Sequence, residues 1–285
     1  MSVFFGRPSP VTSAALILGS LLVAGCAALP GGQAQYRVES AVEYKQVDGQ
    51  SLTGDLYLPK APGIKPAVLV VHGGGWRNRS GDMAGISKRL AKAGFVVFNV
   101  TYRLAPEDRH PAQLEDVSDA LQWLYDNAER LDVDQQRIGG WGYSAGAHLI
   151  LLAGLDRQQA PYLSGIVAGG TPADLTAWPN SPLVFGLIGE TLADAESIWR
   201  AASPVNHVSE LSPPVFLYHG QWDKLVEPEQ MAFMKTALEA KSVPVETYTV
   251  SFAGHIAAYL FGGGAERKAV DFLAQRRNKM AASGE

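Results

Sequence analysis

Gly142-Tyr143-Ser144-Ala145-Gly146 stands directly after the apolar run Ile138 to Trp141 and directly before the apolar stretch Ala147 to Leu155. Read as structure, it is a strand that turns sharply into a helix with a serine at the bend. Such a turn holds the serine in strained backbone geometry, and glycines on both flanks let strand and helix approach without side-chain clash. The pentapeptide alone is a weak signal, and its weight comes from what surrounds it. His72-Gly73-Gly74-Gly75-Trp76 ends an earlier apolar run, and Asp223 and then His255 follow in turn-like settings.

The rest of the chain alternates in the manner this junction requires. Tyr36 to Tyr44 and Leu52 to Leu58 read as strands joined through Asp48-Gly49, a hairpin signal. Ala67 to Val71, Phe95 to Val100, Ile138 to Trp141, Gly165 to Gly169, Val215 to Tyr218 and Val245 to Val250 read as further strands, several of them wholly apolar. Helical spacing covers Met83 to Ala93, closed by Gly94, and Pro111 to Arg130, with Leu114, Val117, Leu121 and Leu124 on one stripe. Helices at Pro228 to Ala240 and Glu266 to Arg276 complete the series. The expected class is α/β, a mostly parallel central sheet with helices on both faces and an N-terminal β-hairpin. Residues 171–208 break the pattern with a mostly non-periodic stretch carrying Trp178, Pro179, Pro182 and Phe185, expected to be an insertion that walls a pocket.

The N-terminal residues read as lying outside the fold. Arg7 is the only charge ahead of an apolar run from Val11 to Val23, which is too short to span a bilayer comfortably. The run ends in Val23-Ala24-Gly25-Cys26, and Cys26 is the single cysteine of the chain. This resembles the lipobox of bacterial lipoproteins, with an ordinary secretory signal as the alternative. The resemblance implies a signal peptide over 1–25, lipidation of Cys26, and a membrane anchor through the attached acyl chains. Ala27 after the cysteine implies the outer membrane, facing the periplasm. Residues 26–35 read as a tether and 36–285 as one domain. With no cysteine pair, no disulfide is expected. A formal charge of -4 without acidic or basic runs gives no reason to expect a nucleic-acid partner.

A serine hydroxyl is a poor nucleophile near neutral pH and needs a base within hydrogen-bond reach. Of His72, His110, His148, His207, His219 and His255, only His255 follows a last strand, in a loop facing the ends where the serine bend also points. The base needs a carboxylate to fix its tautomer, and Asp223, in the loop after the penultimate strand, is the first candidate. Asp174 and Glu227 are the fallbacks, Glu227 reading better as a helix-start carboxylate. His219 is expected to brace the acid-bearing loop, His148 to face packing one turn below the serine, and His110 and His207 to be structural or exposed. An oxyanion formed by serine attack needs preorganised amides. Ala145 can supply one, and Gly74 and Gly75 others, although His72 to Gly75 could also be a simple glycine-rich turn. Trp76 and Tyr143 would line the substrate pocket, or be ordinary packing.

These residues resemble the hormone-sensitive-lipase-like and feruloyl-esterase-like carboxylesterases of the α/β-hydrolase superfamily. The likeness runs from about Ala67 to Gly262 and includes Asn99 to Pro106, Ser203-Pro204 and Pro213-Pro214. Tyr143 departs from the Asp usual before the nucleophile in hormone-sensitive-lipase relatives and matches the feruloyl-esterase-like and arylformamidase-like groups. The resemblance implies hydrolysis of small-molecule esters without metal or organic cofactor. Small acyl groups on sugars or aromatic alcohols are the expected substrates, because the sequence shows no long apolar lid suited to triglyceride. An arylformamidase-like amidase and a non-catalytic envelope lipoprotein are the rival readings.

Overall fold

Ala67, Leu69 and Val71 alternate with Val68 and Val70 along one strand, and both sets are completely buried, in two separate hydrophobic clusters. A strand with two buried faces lies inside a sheet covered on both sides. In this computed structural model, residues 35–155 and 163–276 are described. The expectations for the signal peptide, for Cys26 and for nearly all of the tether lie outside the described residues.

Strands β1 (Tyr36–Val47) and β2 (Gln50–Pro59) form the expected antiparallel hairpin. Its two-residue turn places both Asp48 (φ 48°) and Gly49 (φ 79°) in the left-handed region, as a tight primed turn requires. Then follow β3 (Lys65–Val71), α1 (Ala84–Lys92), β4 (Val96–Val100), α2 (Ala112–Asp126), β5 (Val133–Tyr143), α3 (Ala145–Leu155) and β6 (Ile166–Gly169). The second half holds α4 (Pro182–Ile188), α5 (Glu196–Ala201), β7 (Val215–Gly220), α6 (Glu229–Ala240), β8 (Val245–Val250), α7 (His255–Phe261) and α8 (Gly263–Ala274). The eight strands make one sheet in the order β1-β2-β4-β3-β5-β6-β7-β8. The pairs β1–β2 and β2–β4 are antiparallel, and every later pair is parallel.

One face of the sheet packs against α2, α3 and α6 through Val117, Leu121, Leu149, Ile150, Met234 and Leu238. The other packs against α1 and α8 through Ile86, Leu90, Ala269, Phe272 and Leu273. Helix α3 is buried along its whole length, which explains why its sequence is apolar on every side.

The structure departs from the sequence reading at several elements, among them α7, a helix that opens at His255 where a loop was expected. Strand β5 begins at Val133 rather than Ile138, because Lys65 and Val133 pair across the β3–β5 edge ahead of an irregularity in register. Helix α2 stops at Asp126, where the Asn127 side chain donates to the Trp123 carbonyl and the chain turns. The stretch 171–208 contains α4 and α5. Ser181 caps α4 by accepting from the Val184 amide, Pro182 opens it, and left-handed Gly189 closes it. Those are ordinary helix-boundary signals masked by the short length of the element.

A buried ion cluster ties the hairpin to the loop after β4. Asp116 of α2 accepts from the Arg103 amide and guanidinium and from Lys45 of β1, and its carboxylate is fully buried. Removing the carboxylate in Asp116→Ala would leave the nearly buried Arg103 guanidinium without its main counter-charge. Such losses typically cost about 3–5 kcal/mol. A urea denaturation midpoint for Asp116→Ala close to that of the wild type would contradict this role.

Candidate active site

The serine bend is set by contacts between backbones. Ser144 has φ 55°, an uncommon conformation for a residue with a side chain, and its amide donates to the Gly169 carbonyl at 2.8 Å. A Cβ on Gly146 would stand 2.1 Å from the Val71 carbonyl oxygen, and one on Gly142 would stand 2.2 Å from that of Gly146. Only glycine fits at either position, so α3 crosses β3 and β5 at backbone distance.

At the end of β3, His72 through Trp76 turns beneath this bend. Gly74 (φ 117°), Gly75 (φ 58°) and Trp76 (φ 60°) are successive left-handed residues. The His72 ring stacks on Tyr102 at 4.3 Å, its Nδ1–H donates to the Gly73 carbonyl, and the Tyr102 hydroxyl donates to the His72 carbonyl. The Trp76 indole N–H donates to His148 Nδ1 at 3.2 Å, and His148 Nε2–H donates to the Ala202 carbonyl at 2.7 Å. His148 therefore packs, as its spacing indicated, but with a task the spacing did not reveal. It fixes the orientation of Trp76 and joins the glycine loop to the chain just after α5. The Ala105 amide donates to the Trp76 carbonyl and holds the loop from the other side.

His255 is the first residue of α7, and its Nδ1–H donates to Asp223 Oδ2 at 2.6 Å. Asp223 Oδ1 accepts from the amides of Leu225 and Val226, each at 2.9 Å. His219 Nε2 lies 2.8 Å from the Val226 carbonyl and 3.3 Å from Asp223 Oδ2, so this ring braces the loop. Burial alone would raise the Asp223 carboxyl. The hydrogen bonds from His219, His255 and the Val226 amide outweigh it and hold the group well below the usual carboxylate range. Asp223 stays ionised and can balance a positive charge on His255.

Ser144, His255, Gly74, Gly75, Ala145, Trp76 and Tyr143 all line a single cavity of about 570 Å³. The insertion contributes Pro172, Trp178, Ser181, Leu183 and Val184 to its wall, and α7 contributes Ile256, Tyr259 and Leu260. Tyr143 lines the cavity, and its hydroxyl donates to the backbone carbonyl of His255 at 2.6 Å. Burial pushes the Tyr143 phenol far up, so it keeps the proton it donates. The residue beside the serine thus grips the residue that carries the imidazole, a contact no sequence motif indicates.

The two fallback carboxylates are engaged elsewhere. Asp174 Oδ1 accepts from the amide and hydroxyl of Thr176, capping a short 3₁₀ turn. Glu227 stands at the start of α6, as expected, and its Oε2 accepts from the Trp178 indole at 2.8 Å, linking the acid loop to the insertion. His207 Nε2–H donates to the Ala201 carbonyl, and the His110 amide donates to that of Leu187.

Comparison with known proteins identifies the family and the fold. The profile of the BD-FAE family matches residues 54–238, more than half of the chain. Esterase LipC of Mycobacterium tuberculosis is 29% identical over 197 residues, covering 62% of this chain and 49% of that protein. The chain thus spans about half the length of the curated relatives it matches first. A truncated carbohydrate esterase from gut microbiota superposes with a TM-score of 0.75 at 22% identity, covering 85% of this chain and 97% of the other. The butyrate-bound esterase Est2 of Thermogutta terrifontis gives 0.71 at 21% identity, covering 85% and 94%. The fold is that of the α/β-hydrolases, and the chain belongs to the BD-FAE family.

The buried imidazoles make stability depend on pH. Burial lowers His72 from 6.5 to about 4 and His148 from 6.5 to about 3. In the unfolded chain both take up a proton near the ordinary imidazole value, so between about pH 6.5 and 4 the unfolded state binds more protons than the folded one. Stability must fall as pH drops through that window, by about 1.4 kcal/mol per pH unit for each ring. Urea unfolding at stepped pH values should show this decline. A midpoint constant from pH 7 to pH 4 would contradict the burial of neutral rings.

Proposed function

We propose that this BD-FAE family member is a serine carboxylesterase that hydrolyses esters of short acyl groups. The observation that carries the reading is the 2.6 Å hydrogen bond from His255 Nδ1 to a buried, ionised Asp223, with His255 and Ser144 lining one cavity. With Nδ1–H committed to the carboxylate, His255 presents Nε2 as a base. Ser144 Oγ attacks the ester carbonyl as Nε2 takes its proton. The tetrahedral oxyanion is met by the amides of Ala145, Gly74 and Gly75, each such donor contributing about 3–4 kcal/mol to the transition state. His255 then gives its proton to the departing alcohol oxygen, leaving an acyl-enzyme on Ser144. Water, deprotonated by the same nitrogen, repeats the attack and releases the acid.

A Cβ on Gly75 would meet the Leu183 side chain at 3.3 Å, so Leu183 of the insertion stands directly against the glycine loop. Butyrate bound to the Est2 esterase and the esterase description of LipC support the proposed reading. The N-terminal expectation belongs to this proposal as well: residues 1–25 act as a signal peptide, and lipidated Cys26 holds the enzyme at the outer membrane facing the periplasm. The single cysteine directly after an apolar run supports it.

Ser144→Ala should abolish turnover of p-nitrophenyl acetate and labelling by a fluorophosphonate probe, while an unlabelled wild type would remove the enzyme class itself. Matched ester and formamide substrates separate an esterase from an amidase, and faster cleavage of the formamide would overturn the assignment. Tyr143→Phe deletes the bond to the His255 carbonyl, which keeps its helical partner, and losing one such hydrogen bond costs about 0.5–1.5 kcal/mol. Both the thermal midpoint and kcat should fall while KM changes little. Cys26→Ser should release soluble protein or leave unprocessed precursor, and a wild-type protein without acyl mass would refute the anchor.

A further inference from the structure

The leaving alcohol departs on the His255 side of the cavity, because its oxygen must come within hydrogen-bond reach of the nitrogen that protonates it. That side is built by α7, which begins at His255, and by the loop carrying Asp223. Beyond His255, these two segments line the cavity with Leu225, Val226, Ile256, Tyr259 and Leu260. Of these five, only Tyr259 has a polar side-chain atom, and its hydroxyl already accepts from the Met83 amide. Leu225, Ile256 and Leu260 are each more than half exposed although they line the cavity, so they form its mouth. Ile256 and Leu260 are four residues apart on α7 and share one helix face. None of the lining residues is Asp, Glu, Lys or Arg. Glu227, the nearest carboxylate in sequence to this wall, spends Oε2 on Trp178.

From this we infer that the alcohol portion of the substrate is a neutral apolar group, alkyl or aryl, held against Leu225, Ile256 and Leu260. The inference rests on the esterase reading and narrows it. A polyhydroxylated alcohol would lose water-bonded hydroxyls against a wall with almost no partners to offer. A cationic or anionic alcohol would meet no counter-charge. An apolar alcohol instead removes exposed leucine and isoleucine surface from water together with its own, which yields up to about a fourfold gain per methylene.

The test is kcat/KM of the full chain, followed by pH-stat, for ethyl, butyl and hexyl acetate, acetylcholine and methyl 6-O-acetylglucoside. The values should rise along the alkyl series by roughly tenfold or more from ethyl to hexyl. Acetylcholine and the acetylated sugar should fall at least about tenfold below hexyl acetate. Leu260→Asn and, on a separate element, Leu225→Asn should each lower the hexyl-to-ethyl ratio about fivefold. Because both side chains are exposed, their thermal midpoints should match the wild type and report correct folding. An active enzyme with a flat alkyl series, or one that prefers the acetylated sugar, overturns the inference and leaves the esterase reading standing. So does a dimer that Leu260→Asn dissociates, or binding to neutral phosphatidylcholine vesicles that it abolishes, if the alkyl series is flat. Hydrolysis of none of the five esters sinks the esterase reading, and this inference with it.

Discussion

Where α3 leaves the end of β5, its first turn lies so close to β3 that a methyl group on Gly146 would stand 2.1 Å from the Val71 carbonyl oxygen. Everything else in the site is positioned relative to this crossing. Val71 is the last residue of β3 and leads into the glycine loop, so the same contact that seats Ser144 also fixes where Gly74 and Gly75 begin. The amide of Ala145 comes from the first residue of α3. Ser144 and the amides of Ala145, Gly74 and Gly75 are thus parts of one backbone arrangement. In the proposed mechanism, preorganisation of this kind means that little rearrangement is required when charge develops.

Around that crossing the site is held mainly by neutral, buried hydrogen bonds. His72 fixes the glycine loop from beneath, His148 fixes Trp76 from the side, and the Tyr143 hydroxyl fixes the backbone of His255. Uncharged partners suit this work, because an unpaired ion in the same surroundings would be far more costly than an unpaired imidazole. The one ionised side chain within the constellation, Asp223, is also among the most heavily bonded, with two amides and two imidazoles directed at its oxygens.

Much of this was legible in the sequence, and the division follows the range of the interactions. Gly142 to Gly146, His72 to Trp76 and Asp223 each follow a strongly apolar strand, and His255 follows the last, more polar one, so local pattern located them. The hairpin turn at Asp48-Gly49 and the alternation in β3 are likewise local. Contacts between distant segments were not legible. Nothing in the spacing of Tyr143 and His255, or of Trp76 and His148, says that their side chains meet. Short elements were also lost: α4, α5 and α7 are six or seven residues long, below the window in which helical periodicity can be counted. Helix α7 mattered most, since it carries His255 together with Ile256 and Leu260 at the cavity.

Ser144 is held with positive φ, a conformation that costs a residue with a side chain roughly 1–3 kcal/mol. Glycine would adopt the same geometry freely, yet glycine has no hydroxyl to offer. On the proposed mechanism, the one substitution that would relax this bend therefore also removes the attacking group. A hardier variant that keeps the hydroxyl must find its gains elsewhere in the chain, and the tension at the bend stays with it.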